Sequence, residues 1–198
     1  MRTHAVLQGL TFAASLCLAL PALSQDSGTL KKLKDSGAAT MGVRESSGGL
    51  SFTLGDGKFA GFHVELCQRA LADVQKQLGM AKLDIKYQPV TSQNRIPLVQ
   101  NGTVDIECGS TTNNATRQKD VSFAPTLYVE EVRMAVKANS GITSIAQLTG
   151  KSVATTTGTT SVQTLRKNER ATGVDFKEVY GKDHSDSFLL LESGRADA

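Results

Sequence analysis

Alternating runs of strand-like and helix-like apolar spacing between residues 39 and 108 constrain this chain more than any other feature. Residues 39–43 form a short apolar run that ends at Arg44. Phe62, Leu66, Ala70, Val74 and Leu78 then recur at helical spacing, and Gly79 stops the run. Leu83-Asp84-Ile85-Lys86-Tyr87 alternates as a strand does. A helical stretch through Ile96, Leu98 and Val99 follows, then a turn at Asn101-Gly102 and a last apolar run. The spacing predicts β(39–43), α(62–78), β(83–90), α(95–101) and β(104–108). A βαβαβ unit requires a parallel sheet with helices on its faces, so the fold class is α/β. Leu30 and Leu33 among Lys31, Lys32 and Lys34 predict a short opening helix. Gly48-Gly49 and Gly55-Asp56-Gly57 bracket two small strands around Phe52 and Phe59.

The pattern then restarts. A strand is expected over 132–136, a short helix over 142–148 stopped by Gly150, a strand over 152–156 and a helix over 160–170. A strand over 176–180 and a helix over 185–192 complete a second α/β unit. Pro125-Thr126-Leu127-Tyr128 lies between the units. The expected division is therefore lobe one over 25–125, a hinge over 126–131 and lobe two over 132–198. One internal echo stands out. Leu98-Val99-Gln100-Asn101-Gly102-Thr103-Val104-Asp105-Ile106 has the same grammar as Leu190-Leu191-Glu192-Ser193-Gly194-Arg195-Ala196-Asp197-Ala198. By analogy Ala196 opens a strand that three residues cannot complete, so the sequence reads as part of a longer protein with lobe two incomplete.

Residues 1–24 read as an export signal. Arg2 supplies the positive end, 6–20 an apolar core too short to span a bilayer comfortably, and Ala22 and Ser24 the small residues of a cleavage site. Cys17 follows Leu16, whereas a lipid-anchored Cys follows a small residue, so a lipoprotein is not expected. The location implied is the periplasm. The whole chain carries a net charge of +3 with basic and acidic residues interleaved and few aromatics, which does not suit a nucleic-acid binder. Cys67 and Cys108 remain after the leader. In an oxidising compartment they are either a disulfide or two separate buried thiols; a helix packed on the sheet would join them, and a bridge is the expectation.

Ligands of parallel α/β sheets bind beyond the carboxyl ends of the strands. Arg44 follows the first strand, Ser92 and Arg95 the second, and Ser110, Thr111 and Thr112 the third, with Arg117 a turn further on. In the second unit, Gly158-Thr159-Thr160-Ser161 opens a helix, and Asp183 and His184 follow the strand that ends near Tyr180. The candidates share one rim. It carries guanidinium groups, a histidine, hydroxyls and helix N-termini, whose free N–H groups favour anions. A site for two carboxylates is the natural reading. Each residue also has a plainer role open to it. Arg44 next to Glu45 suits a surface ion pair; Ser92, Ser110 and Thr160 suit helix caps; Arg117 suits a solvated helix face; His184 suits a lone loop histidine. Their shared position favours the site.

Other chemistries lack their parts. Gly158-Thr159-Thr160-Ser161 has no P-loop lysine, and no Gly-x-Ser-x-Gly elbow occurs. His63 and His184 lack metal-ligand spacing with Cys67 or Cys108, so neither metal nor cofactor is called for.

Several runs together resemble the glutamate/aspartate-binding proteins of bacterial ABC importers, within the polar amino-acid class of periplasmic solute-binding proteins. They are Arg44-Glu45-Ser46-Ser47, Thr91-Ser92-Gln93-Asn94-Arg95-Ile96-Pro97-Leu98, Gln100-Asn101-Gly102-Thr103, Glu107-Cys108-Gly109-Ser110-Thr111-Thr112-Asn113-Asn114, Gly158-Thr159-Thr160-Ser161 and Lys182-Asp183-His184-Ser185-Asp186-Ser187-Phe188. The likeness runs from about 28 to 198. It implies a two-lobe, type II periplasmic-binding-protein clamp. It also implies that Arg117, Thr112 and Thr160 hold a ligand α-carboxylate, that Arg44, Ser92, Arg95 and His184 hold a side-chain carboxylate, and that Ser110 faces the ammonium. A further acidic ammonium ligand is expected beyond Ala198. The implied protein is a monomeric, non-enzymatic carrier of L-glutamate and L-aspartate that delivers them to a membrane permease. Two rival readings share the fold: a dehydratase of prephenate or cyclohexadienyl type, which would need an acid/base residue over a substrate ring, and a ligand-sensing receptor domain.

Overall fold

The computed structural model of the protein describes residues 28–198; the expected leader over 1–24, with Cys17, lies outside them. Helix α1 (Gly28–Ser36) turns Leu33 inward and leaves its lysines exposed. Strand β1 (Ala38–Val43) follows, with Ala39, Met41 and Val43 fully buried, the period-2 signature of a core-facing strand. Three short antiparallel strands come next, β2 (Ser46–Ser47), β3 (Ser51–Gly55) and β4 (Lys58–Ala60). Helix α2 (Phe62–Gln77) buries Val64 and Leu71 and lays Cys67 and Val74 on the same core.

Strand β5 (Asp84–Pro89), helix α3 (Arg95–Gln100) and strand β6 (Ile106–Glu107) complete the first unit. Its sheet has the order β5-β1-β6, all parallel, as a βαβαβ pattern demands. Strand β6 is shorter than the expected 104–108. Even so, Asp105 N donates to Thr40 O at 2.9 Å and Cys108 N to Gly42 O at 2.8 Å, so bonding to β1 continues on both sides of it.

The second unit is built on β7 (Ser152–Thr156) and its parallel neighbour β8 (Lys177–Gly181), with α4 (Thr160–Thr172) and α5 (His184–Glu192). Its separate core contains Leu148, Val153, Val174, Phe176 and Ala198. Two expectations fail here. No strand forms over 132–136. Met134 and Val136 pack against this core, yet Val132 is exposed and the stretch has no ladder partner among the described residues. Alternation tells which side chains face inward, but a strand also needs a neighbour. The helix expected over 142–148 is a single 3-10 turn, Ile145–Leu148, begun by a Ser144–Gln147 capping box.

The internal echo is also structural. Val104 N donates to Leu98 O at 2.9 Å, and Ala196 N to Leu190 O at 3.0 Å. The Asp105 carboxylate accepts from Thr40 N at 2.8 Å, and that of Asp197 from Ser152 N at 2.9 Å. Ala154 N donates to Ala198 O at 2.7 Å, so the last residues lie along β7 on the edge away from β8.

A disulfide joins Cys67 of α2 to Cys108 just after β6, with the Cα atoms 6.3 Å apart. It ties a crossover helix to the end of β6, next to the rim. Closing a loop with a sequence separation of 41 contributes ~3–4 kcal/mol on the chain-entropy account. Urea unfolding of oxidised protein against protein held in dithiothreitol should show a loss of that size. Coincident curves would refute it.

Candidate functional site

The residues singled out on the rim follow strand carboxyl ends, except Arg117, which begins a 3-10 turn (Arg117–Lys119) ten residues after β6. Arg44 leaves β1, and its side chain has no solvent exposure. Ser51 Oγ accepts its backbone N–H at 2.9 Å, and its Nη2 donates to Asp183 Oδ1 from the second unit. Its Nε and Nη1 are buried without acceptors among the described residues. Arg95 opens α3 and is 3% exposed; its Nε and Nη1 likewise lack acceptors, as does the buried Oγ of Ser92. These are five buried polar atoms from three predicted residues. Buried donors are normally paired, and these have no acceptor among the described residues.

The remaining candidates lie where the units touch. Arg117 donates from Nη1 to Thr112 O at 3.1 Å and from Nη2 to Gly158 O at 3.1 Å. The hydroxyls of Thr112 and Thr160 are 3.3 Å apart, and those of Ser47 and Ser110 3.0 Å. His184 begins α5, and its Nδ1 shares a hydrogen bond with Thr156 Oγ1 at 3.0 Å. A cleft of about 710 Å³ lined by Ser92, Arg117, Gly158 and Thr160 opens on one side of the contact. A second, of about 480 Å³, is bounded by Ser46, Phe52, His184 and Phe188.

The electrostatics suit an anion. Burial pulls the Arg95 pKa down to about 10, with Arg44 and Arg117 pushing the same way and Glu107 opposing. Arg117 is lowered too, by burial against the pull of Glu107. Burial, then the Arg44 charge, lowers His184, while Asp183 opposes them. Burial works against the charge of Asp183, but the His184 amide and the Arg44 guanidinium outweigh it and hold the carboxyl below its usual range.

Two residues matter more than their sequence context indicates. Asp183 reads as a rim loop residue and is in fact the N-cap of α5, in a capping box with Asp186, as well as the partner of Arg44. The Asp-x-x-Asp spacing was the available signal, but it accounts only for the cap. Glu107 belongs to β6; Thr111 Oγ1 donates to its Oε2 at 2.7 Å, while its buried Oε1 has no partner among the described residues. A glutamate at the carboxyl end of a strand was its only mark in the sequence.

This arrangement of two parallel α/β units closing on a polar rim is that of the type II periplasmic binding proteins. A crystal structure of an ancestral amino-acid-binding protein, a precursor of cyclohexadienyl dehydratase, matches with a TM-score of 0.70 and 28% identity, covering 85% of this chain and 71% of that one. Residues 39–173 match the bacterial extracellular solute-binding proteins, family 3, and the chain belongs to that family. It is 42% identical over 198 residues to the L-glutamate/L-aspartate-binding protein of Pseudomonas aeruginosa, covering 99% of this chain and 65% of the relative. It is 41% identical over 187 residues to the glutamate/aspartate import solute-binding protein of Escherichia coli, covering 94% and 62%. The chain thus spans a little under two thirds of the length of each relative.

Contact between the units requires Gly158. At φ +78 it adopts a backbone conformation that L side chains rarely take, and an added Cβ would lie 2.7 Å from Gln93 Cα and 2.8 Å from Ser92 O. Both neighbours are backbone and cannot yield as a flexible side chain would. Gly158→Ala should therefore lose about 1–3 kcal/mol by denaturant titration and enlarge the radius of gyration in small-angle scattering. An unchanged scattering profile would contradict the proposed contact.

Proposed function

We propose that this protein is the non-enzymatic substrate-binding component of an ABC importer, capturing L-glutamate or L-aspartate in the periplasm and passing it to a membrane permease. The observation that carries the reading is the set of buried, acceptorless donors on Arg44, Arg95 and Ser92, beside Arg117, Thr112 and Thr160. Two clusters of donors suit a ligand with two carboxylates. The names of the two relatives, which specify glutamate and aspartate, support the same ligand class.

In this reading Arg117, Thr112 and Thr160 take the α-carboxylate. Arg44, Ser92, Arg95 and His184 take the side-chain carboxylate, and Ser110 faces the ammonium. The bonds now made by Arg117 to two backbone carbonyls, and by Thr112 to Thr160, are the ones a ligand would share or replace. We assign lobe one to 25–125, the hinge to 126–131 and lobe two to 132–198. Two separate cores, and an exposed stretch over 126–131 without helix or strand, support that division. The protein would act as a monomer after loss of its leader. Against the dehydratase alternative, His184 is engaged by Thr156 and lies in the field of Arg44 and Arg95, a setting that favours holding an anion over abstracting a proton.

Calorimetry on the full-length protein should give micromolar affinity or better for glutamate or aspartate, roughly 8 kcal/mol or more. Glutamine leaves a buried guanidinium without its counter-charge, a cost of about 2–5 kcal/mol, and should bind at least ~30-fold more weakly. Arg95→Met should erase most of that preference by weakening glutamate, whereas Arg117→Met should weaken both ligands alike. Equal weakening of both by Arg95→Met would overturn the assignment of Arg95. Tight binding of arginine or histidine without glutamate would overturn the function.

A further inference from the structure

His63 lies outside the set of rim residues, yet it is half-buried and bonded to the rim backbone. It belongs to the first turn of α2, four positions before Cys67, so the two side chains share one face of that helix. They grip neighbouring residues. Cys67 is bridged to Cys108, and His63 Nδ1 donates to Gly109 O at 2.6 Å, since a carbonyl oxygen only accepts. The Nε2 of His63 is buried and has no partner among the described residues. The ring therefore makes its one hydrogen bond there to Gly109.

The stretch that begins at Gly109 lacks the hold of a sheet. Strand β6 ends at Glu107, and the Cys108 amide still donates to Gly42 O of β1 at 2.8 Å. The amides of Gly109, Ser110, Thr111 and Thr112 donate to no backbone carbonyl among the described residues. Side chains hold this stretch instead. Ser110 Oγ lies 3.0 Å from Ser47 Oγ, Thr111 Oγ1 donates to Glu107 Oε2 at 2.7 Å, and Arg117 Nη1 donates to Thr112 O at 3.1 Å. Gly109 is the tightest point. A Cβ there would overlap Glu107 Oε1 and lie 2.6 Å from Arg44 Cγ. The disulfide fixes Cys108, but glycine leaves the backbone at 109 free to rotate. A hydrogen bond to the Gly109 carbonyl removes that freedom. The peptide unit is planar, so fixing this carbonyl also fixes the direction of the Ser110 N–H.

We propose that His63 is a positioning residue for the ligand site: through the Gly109 carbonyl it holds residues 109–112 in the geometry that receives the amino-acid end of the ligand. This rests on the acidic amino-acid reading above and deepens it, because Ser110 and Thr112 belong to the set assigned there to the ammonium and the α-carboxylate. His63 need not touch the ligand. Ordering the stretch in the folded protein, rather than on binding, raises affinity by preorganisation.

The test is calorimetry with L-glutamate on full-length wild type, His63→Asn and His63→Leu. Asparagine keeps an N–H donor attached to Cγ, where Nδ1 stands, with less volume. Leucine keeps apolar bulk without the donor. The Kd should rise at least ~10-fold in His63→Leu and stay within ~3-fold of wild type in His63→Asn. A space-filling role predicts the opposite order. Any other pattern in variants that melt cooperatively overturns this inference alone. A variant that no longer melts cooperatively also overturns it, because the contact would then serve folding rather than the site. Wild type that binds no acidic amino acid overturns the functional reading and this inference with it.

Discussion

The buried Arg44 guanidinium is the interaction on which the rest of the arrangement depends. An unpaired charge of that kind is costly in a low-dielectric interior, and breaking such a pair leaves an uncompensated ion. Its partner, Asp183, comes from the other α/β unit, 139 positions along the chain. The place where β1 ends and the place where α5 begins are therefore coupled. Asp183 serves both sides at once, accepting from Arg44 and from the first amide of its own helix. A carboxylate at a helix N-terminus is favoured by the free N–H groups there. One residue thus caps a helix and bridges two units.

The surroundings of that pair are arranged for close approach. Gly158 lets the loop after β7 press its backbone against Ser92 and Gln93, which brings the Gly158 carbonyl within reach of Arg117. Gly109 performs the corresponding service within the first unit, where a side chain would collide with Glu107 and Arg44. The Cys67–Cys108 bridge anchors the strand end one residue before Gly109 to helix α2. Backbone and side-chain positions next to the buried guanidinium groups are thus restrained from several directions. That preorganisation lets unpaired donors persist without collapsing onto each other.

The two units also share a construction rule. In each, a helix ends, a glycine turns the chain, and an aspartate three residues later bonds back to the first residues of the strand it runs beside. The carboxylates of Asp105 and Asp197 satisfy strand N–H groups at the amino end of each sheet, opposite the rim. Residues at one end of the sheet therefore serve structure, and those at the other end serve the site. This separation follows from parallel strands, whose carboxyl ends all face the same way.

Much was legible in the sequence because it depends on local physics. Period-2 and period-3.6 patterns revealed β1, α2, β5, α4 and α5 to within a residue or two, since side-chain direction repeats with the backbone. Strand order placed Arg44, Ser92, Arg95, Thr160 and His184 on one rim before any distance was known. What depends on neighbours distant in sequence was not legible. Residues 132–136 alternate like a strand and form none, because a ladder partner is not a property of the segment. Asp183 looked like a loop residue and Glu107 like an ordinary strand residue, yet both join the buried charge cluster through contacts formed only when the chain folds. Residue type and period are written along the chain. Which buried charge finds which partner is decided in three dimensions, where burial lowers the local dielectric and turns an otherwise solvated group into one that must be balanced.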